Sequence, residues 1–280
     1  MKRLLTGLCA LLILLIQPAT AADLPAGATV QKNISYGADK AQRFDVYLPA
    51  NPANAPILFM VHGGGWKRGD KDARGVVDNK IARWLPKGII FVTVNYRMMP
   101  EEEPLTQAGD VGLALAKVQA LAQSWGGNPD DIILMGHSAG AHLVTLLNMA
   151  PEIATAQGAR MWKGTVSLDS GAMNVPAIMN RRHMSLYDEA FGDDPAEWEA
   201  VSPFHRVKGP TQPEFAICRK RGDVSCPANQ ELAKKANSLG GKMEVLPMAL
   251  NHGEINFDLG LPGDYTDRVE AFMRSLGWKV

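Results

Sequence analysis

Short apolar runs alternate along this chain with segments of helical periodicity. The clearest runs are residues 57–61, 89–94 and 132–135, with shorter candidates at 165–168, 215–218 and 243–246. Runs without a polar face are typical of strands that are covered on both sides. A further segment, Arg43–Leu48, has alternating apolar residues and is predicted as an outer strand. Because strands that alternate with helices form parallel sheets, we predict an α/β fold with a mainly parallel central sheet and helices on both faces.

The N-terminus has the composition of an export signal. Two basic residues precede a mostly apolar segment, 4–16, and the small residues of 19–21 follow it. This segment is shorter than the roughly 20 apolar residues that span a bilayer. We therefore predict a signal peptide over residues 1–21, with an uncleaved anchor as the alternative. The mature chain, 22–280, is predicted to be one domain in the periplasm or outside the cell.

The charge balance excludes some classes of partner. The chain has 29 Lys and Arg against 29 Asp and Glu, which gives no electrostatic basis for binding nucleic acid or an anionic membrane. A hydrophobic content of 46% excludes a disordered chain. We expect a small molecule as partner and no membrane contact after signal removal, and the oligomeric state stays open.

Two cysteines, Cys218 and Cys226, remain after the signal is removed. In an oxidising compartment they are expected to pair, and two buried reduced thiols are the alternative. Neither C-x-x-C nor H-E-x-x-H occurs, so we predict no metal site.

A candidate nucleophile lies in the sequence GHSAG at positions 136–140. It follows the apolar run 132–135 directly and precedes a helical pattern. A strand that runs straight into a helix needs a sharp turn, and flanking glycines make room for it, which leaves the hydroxyl of Ser138 exposed. We predict Ser138 as a nucleophile, with an inert serine in a structural turn as the alternative.

Donors for an oxyanion are predicted in the sequence HGGGW at positions 62–66. Acyl transfer places negative charge on a carbonyl oxygen, and preorganised backbone N–H groups stabilise that charge. We assign Gly64 and Gly65 as donors on this loop and Ala139, the residue after the nucleophile, as a third. The loop lacks the Gly-Lys-Ser/Thr of a phosphate-binding loop. His62 is predicted to brace the loop rather than to act as a base.

A serine nucleophile needs a histidine base and an acid that orients it. His252 follows the last strand-like run, at the sheet edge where the serine turn also opens, and is predicted as the base. Asp223 follows the preceding strand and fits the chain order Ser, Asp, His, so it is predicted as the acid. Asp169, at the end of the strand before that, is the alternative.

Residues 173–202 do not fit the alternation of strands and helices. The segment is rich in Met, which adapts to varied apolar ligands, and we predict a small cap over the pocket, with a solvated loop as the alternative. Trp66 and His137, which adjoin the glycine loop and the nucleophile, are predicted to line that pocket.

Together these motifs resemble the α/β-hydrolase superfamily. They are HGGGW, then Asn95-Tyr96-Arg97 with Pro100-Glu101, then Asp110, GHSAG and a late histidine. Within the superfamily the chain resembles the secreted esterase and lipase group that includes feruloyl-esterase-like and hormone-sensitive-lipase-like members. The resemblance extends over about residues 43–276. It implies a three-layer fold, hydrolysis of carboxylic esters through an acyl-enzyme, and no metal or dissociable cofactor.

The resemblance also bears on the acid and on the competing functions. Gly222-Asp223 followed by Cys226-Pro227 and Gln230 is similar to the acid loop of these enzymes, which favours Asp223. Met98-Met99 departs from the Leu-Ala of many members and is expected to alter packing more than chemistry. The alternatives to an esterase are an amide hydrolase of the arylformamidase type and a non-catalytic binding module of the same fold.

Overall fold

Eight strands form one central sheet in this computed structural model, which describes residues 24–222 and 224–280. The strands are β1 (Thr29–Ser35), β2 (Arg43–Leu48), β3 (Ala55–Val61), β4 (Ile90–Val94), β5 (Gly127–His137), β6 (Gly164–Leu168), β7 (Glu214–Arg219) and β8 (Met243–Met248). Their order in the sheet is β1-β2-β4-β3-β5-β6-β7-β8. β2 pairs antiparallel with both β1 and β4, and every other pair is parallel. The prediction of a mainly parallel sheet is confirmed.

Helices cover both faces of the sheet. They are α1 (Arg74–Trp84), α2 (Pro104–Leu121), α3 (Ala139–Met149), α4 (Glu152–Thr155), α5 (Val175–Met179), α6 (Ser185–Phe191), α7 (Pro195–Ala200), α8 (Pro203–Arg206), α9 (Ser225–Ser238), α10 (His252–Phe257) and α11 (Asp264–Ser275). Ile57 and Phe59 of β3 pack with α2 and α3, whereas Leu58 and Met60 pack with α1 and α11. Alternate side chains of β3 thus point to opposite faces of the sheet, and both faces are covered by helices. This explains why β3 is apolar along its length. The three-layer fold class is therefore confirmed.

The apolar runs of the sequence lie in β3 to β8, and the alternating segment is β2. The edge strand β1 was not predicted, because its sequence TVQKNIS is mostly polar and its side chains are largely exposed. β1 is held in the sheet by the pairing of Thr29 to Gln31 with β2, and not by burial of one of its faces.

The segment predicted as a cap, 173–202, forms α5, α6 and α7 between β6 and β7. Asn174 and Asp194 each accept a hydrogen bond at the N-terminus of one of these short helices.

Cys218 and Cys226 form a disulfide, with their Cα atoms 5.1 Å apart. The predicted signal peptide, 1–21, lies outside the described residues. In the described part of the chain, no helix combines the length and the apolar character needed to cross a bilayer.

Candidate active site

The backbone turns sharply at Ser138, between β5 and α3. Ser138 has φ 56° and ψ −117°, values that few non-glycine residues adopt. A Cβ at Gly136 would lie 2.3 Å from the carbonyl oxygen of Gly140, and one at Gly140 would lie 2.3 Å from that of Val61. Both positions therefore require glycine, and the turn holds the Ser138 hydroxyl at the carboxyl edge of the sheet.

His252 is the first residue of α10 and faces this serine. The side chain of Asn251 accepts a hydrogen bond from the amide of Glu254, and the Glu254 side chain accepts one from the amide of Asn251. This capping box fixes the start of the helix. The Ser138 hydroxyl lies 3.0 Å from Nε2 of His252, in position to donate its proton.

The carboxylate that orients His252 belongs to Asp169, which directly follows β6. Nδ1 of His252 donates to Oδ2 of Asp169 over 2.6 Å, and the Arg219 amide donates to Oδ1 over 2.9 Å. Asp169 has φ 52°, a positive value that is strained for a residue other than glycine. Like Ser138, it directly follows a strand at the carboxyl edge of the sheet. The burial of Asp169 alone would raise its pKa. The hydrogen bond from His252, together with the Ser225 hydroxyl and the Arg219 amide, outweighs that effect and holds the pKa of Asp169 below its ordinary value.

The prediction of Asp223 as the acid is therefore corrected. Asp223 lies outside the described residues, and the single Nδ1 proton of His252 goes to Asp169. The physical reason is strand adjacency: β6 pairs directly with β5, which places the end of β6 beside the nucleophile. The order Ser, Asp, His holds for both carboxylates, so chain order alone does not separate them.

The glycine loop after β3 contacts the nucleophile. A Cβ at Gly63 would lie 2.8 Å from that of Ser138. Gly64 and Gly65 have φ values of 120° and 63°, a backbone conformation that residues with a Cβ rarely adopt. Among the described residues, the N–H groups of Gly64, Gly65 and Ala139 have no acceptor, and all three residues line the same cavity as Ser138. They are free to bind an oxyanion.

Histidines support this loop from the interior. His62 is buried, stacks on Tyr96 with ring centroids 4.6 Å apart, and donates from Nδ1 to the Gly63 carbonyl over 2.7 Å. It thus braces the loop and does not reach the nucleophile.

His137 donates from Nε2 to the His252 carbonyl over 2.9 Å, and burial lowers the pKa of His137 to about 3. A neutral His137 therefore positions the base and adds no charge beside it.

A third histidine, His142, links the glycine loop to the end of the cap. The indole N–H of Trp66 donates to Nδ1 of His142 over 3.1 Å, and Nε2 of His142 donates to the Val201 carbonyl over 2.7 Å. Burial lowers the pKa of His142 to about 4, which fits the neutral tautomer that both bonds require. The sequence did not predict this link, because the residues that form it are distant along the chain.

These elements enclose a cavity of about 1370 Å³ above Ser138. Its walls come from the glycine loop, including Trp66, from His137 and His252, and from α5 and α6 of the cap segment. Trp66 is 3% exposed and packs edge-on against Phe191 of α6 at a centroid distance of 5.0 Å. In the described part of the chain, no group of His, Cys, Asp or Glu has the geometry to hold a metal ion.

The sheet order, the strained serine between β5 and α3, and the histidine and carboxylate at the same edge define an α/β-hydrolase. Residues 44–236 match the BD-FAE family, and the chain belongs to that family. This match includes Ser138 and Asp169 and ends before His252.

Individual relatives agree with this assignment. The isoprenylcysteine alpha-carbonyl methylesterase ICME of Arabidopsis thaliana is 26% identical over 254 residues, 83% of this chain and 57% of its own length. Esterase LipC of Mycobacterium tuberculosis is 31% identical over 123 residues, 42% of this chain and 30% of its own. The solved structure of Thermogutta terrifontis esterase 2 superposes with a TM-score of 0.72 at 19% identity, covering 91% of this chain and 97% of that one. The chain spans between 28% and 57% of the length of the first curated relatives.

Proposed function

We propose that this protein hydrolyses small carboxylic esters through an acyl-enzyme on Ser138. The observation that carries the proposal is the hydrogen-bonded series Ser138–His252–Asp169 beneath a cavity that three unpaired backbone N–H groups also line. Relatives named as an esterase and as a methylesterase support an ester substrate.

The reaction follows from the positions of these groups. His252 accepts the proton of Ser138 as the serine oxygen attacks the ester carbonyl, and the Asp169 carboxylate stabilises the imidazolium that forms. The amides of Gly64, Gly65 and Ala139 stabilise the oxyanion. His252 then gives its proton to the leaving alcohol. Water, activated by the same histidine, attacks the acyl-enzyme and releases the acid.

Labelling of the serine tests the proposal directly. We expect a fluorophosphonate probe to add one group to the protein, and peptide mass spectrometry to locate it on Ser138. The same sample should hydrolyse p-nitrophenyl acetate well above background. A folded protein that neither reacts with the probe nor cleaves the ester would favour a non-catalytic binding module. Cleavage of N-formylkynurenine in preference to esters would favour the amide hydrolase.

Export of the mature chain is part of the same proposal. The predicted signal peptide motivates it, and the Cys218–Cys226 disulfide supports an oxidising compartment. Expression of the full chain in a bacterial host, followed by N-terminal sequencing of the periplasmic fraction, should give a chain that begins near residue 22.

The rate of hydrolysis is expected to rise with pH. Only a neutral His252 can accept the serine proton, so kcat/KM should increase from acidic to neutral pH. Asp169 stays ionised over that range because its pKa is held below the ordinary value. His137 and His142, with pKa values of about 3 and 4, stay neutral and add no second step. Initial rates read at the isosbestic wavelength of nitrophenol check this. A profile that is flat from pH 4.5 to 8 would exclude a histidine base.

Trp66 is expected to limit the length of the acyl chain. Its indole forms a buried wall of the cavity, so acetyl to hexanoyl p-nitrophenyl esters should react with higher kcat/KM than dodecanoyl esters. Trp66→Ala should shift the optimum to longer chains, because each CH2 that finds room contributes about 0.8 kcal/mol.

The matched control for this substitution is Trp66→Phe, which keeps a wall but loses the bond to His142. It should leave the preference for short chains in place. Trp66→Ala is expected to cost about 3–5 kcal/mol of stability, so both variants are assayed below their measured melting temperatures. A wild-type preference for palmitoyl esters would point to a lipase instead.

A further inference from the structure

The charge of the cavity wall differs from that of the whole chain. Among the described residues that line it, five side chains are cationic: Lys67, Arg68, Arg181, Arg182 and Arg219. One, Glu189, is a carboxylate. The one carboxylate, Glu189, already pairs with Lys67. The whole chain, by contrast, has equal numbers of acidic and basic residues. An excess of one sign of charge in a cleft raises the local concentration of ligands of the opposite sign.

Of these cations, Arg219 lies beside the carboxylate that orients His252. Nη1 of Arg219 is 3.5 Å from Oδ2 of Asp169. Arg181 and Tyr187 line the same cavity as Arg219. Burial raises the pKa of the Tyr187 phenol, and the positive charges of both guanidinium groups act on it in the opposite direction. The Tyr187 hydroxyl has no hydrogen-bond partner among the described residues and lines the cavity with them.

The backbone of Arg181 is held by two contacts, and the residue is exposed. The Arg181 amide donates to the Ile178 carbonyl over 3.2 Å, and Nδ1 of His183 lies 2.6 Å from the Arg181 carbonyl oxygen. His183 is held in turn by Asp188, 2.8 Å from Nε2. The Arg181 guanidinium pairs with no carboxylate in the described part of the chain, although arginine is suited to bidentate binding of carboxylate and phosphate groups.

We propose that Arg181, with Arg219 and the Tyr187 hydroxyl, binds an anionic group on the leaving alcohol of the substrate. The substrate class is then an ester whose alcohol or phenol part carries a carboxylate. The side is assigned because Arg219 adjoins Asp169, which bonds the histidine that gives its proton to the leaving oxygen. The inference rests on the ester hydrolysis proposed above and specifies its substrate.

A matched pair of substrates tests the subsite: 4-acetoxybenzoate, which is anionic, and 4-acetoxybenzamide, which is neutral and similar in shape. The measured quantity is the ratio of their kcat/KM values. Differences in leaving-group reactivity cancel when this ratio is compared between variants. Arg181→Gln should lower the ratio at least about tenfold, because a charge-assisted hydrogen bond is lost. Arg181→Lys keeps the charge and should restore part of the ratio.

The control is Lys220→Gln, which removes one exposed positive charge next to Arg219 but outside the cavity wall. It should leave the ratio within about twofold of the wild type. An equal ratio in wild type, Arg181→Gln and Lys220→Gln would overturn the subsite while ester hydrolysis stands. If instead Arg181→Gln selectively impairs p-nitrophenyl hemisuccinate, whose charge is on the acyl part, the assignment to the leaving group is wrong. Failure of the proposed function is a different result: neither acetate ester is cleaved and Ser138 is not labelled.

Discussion

Asp169→Asn is expected to lower kcat for ester hydrolysis by about 10⁴-fold while the protein stays folded. The Arg219 amide requires an acceptor at this side chain, so the Asn oxygen takes the place of Oδ1 and the Asn NH2 faces His252. Nδ1 of His252 must then accept a hydrogen bond rather than donate one. The proton of the neutral ring moves to Nε2, where it blocks removal of the Ser138 proton.

The matched substitution is Asp223→Asn, in the residue that the sequence favoured as the acid. This substitution should change kcat by less than about tenfold, because Asp169 already accepts the hydrogen bond from Nδ1 of His252. Steady-state kinetics of both variants, with circular dichroism to verify folding, decides between the two carboxylates. A severe loss in Asp223→Asn together with a mild one in Asp169→Asn would return the acid role to Asp223.

Ser138→Ala should remove at least about 10⁴-fold of the activity, because the covalent route disappears. The variant should fold normally, since serine and alanine carry the same Cβ at this strained φ and the turn itself is maintained by Gly136 and Gly140. Kinetics and fluorophosphonate labelling measure the effect.

The control for this variant is Ser170→Ala, in a serine that lines the same cavity but whose hydroxyl bonds the Ala172 amide and not His252. This variant should keep most of the activity and all of the labelling. If Ser138→Ala retained a tenth of the wild-type rate, Ser138 would not be the nucleophile.

The strands, the serine turn and the glycine loop could be predicted because each depends on local sequence. A buried strand needs a continuous apolar run, as in β3 and β4, and the turn at Ser138 needs glycine where its backbone contacts neighbouring chain. These requirements are visible within a few residues of the sequence.

The acid could not be chosen on the same grounds. Asp169 and Asp223 both follow strand-like runs and both precede His252, and only the pairing of β6 with β5 shows which carboxylate reaches the imidazole. The positive φ of Asp169 is likewise a property of the folded backbone. The short helices α5 to α7 also depend on contacts distant in sequence, since Phe191 packs on Trp66.

The bond between His142 and the Val201 carbonyl has a consequence for how this protein can be redesigned. Trp66 of the glycine loop bonds His142 in the protein interior, and His142 bonds the main-chain oxygen of Val201, where the chain leaves the cap. Side chains of α5 and α6 can therefore be exchanged without loss of this bond, provided that Phe191, which packs on Trp66, is kept. Insertions or deletions that shift the backbone at Val201 would be transmitted to Trp66 and to the glycines beside it. Libraries that keep this junction constant and vary the helices before it separate substrate range from catalytic rate.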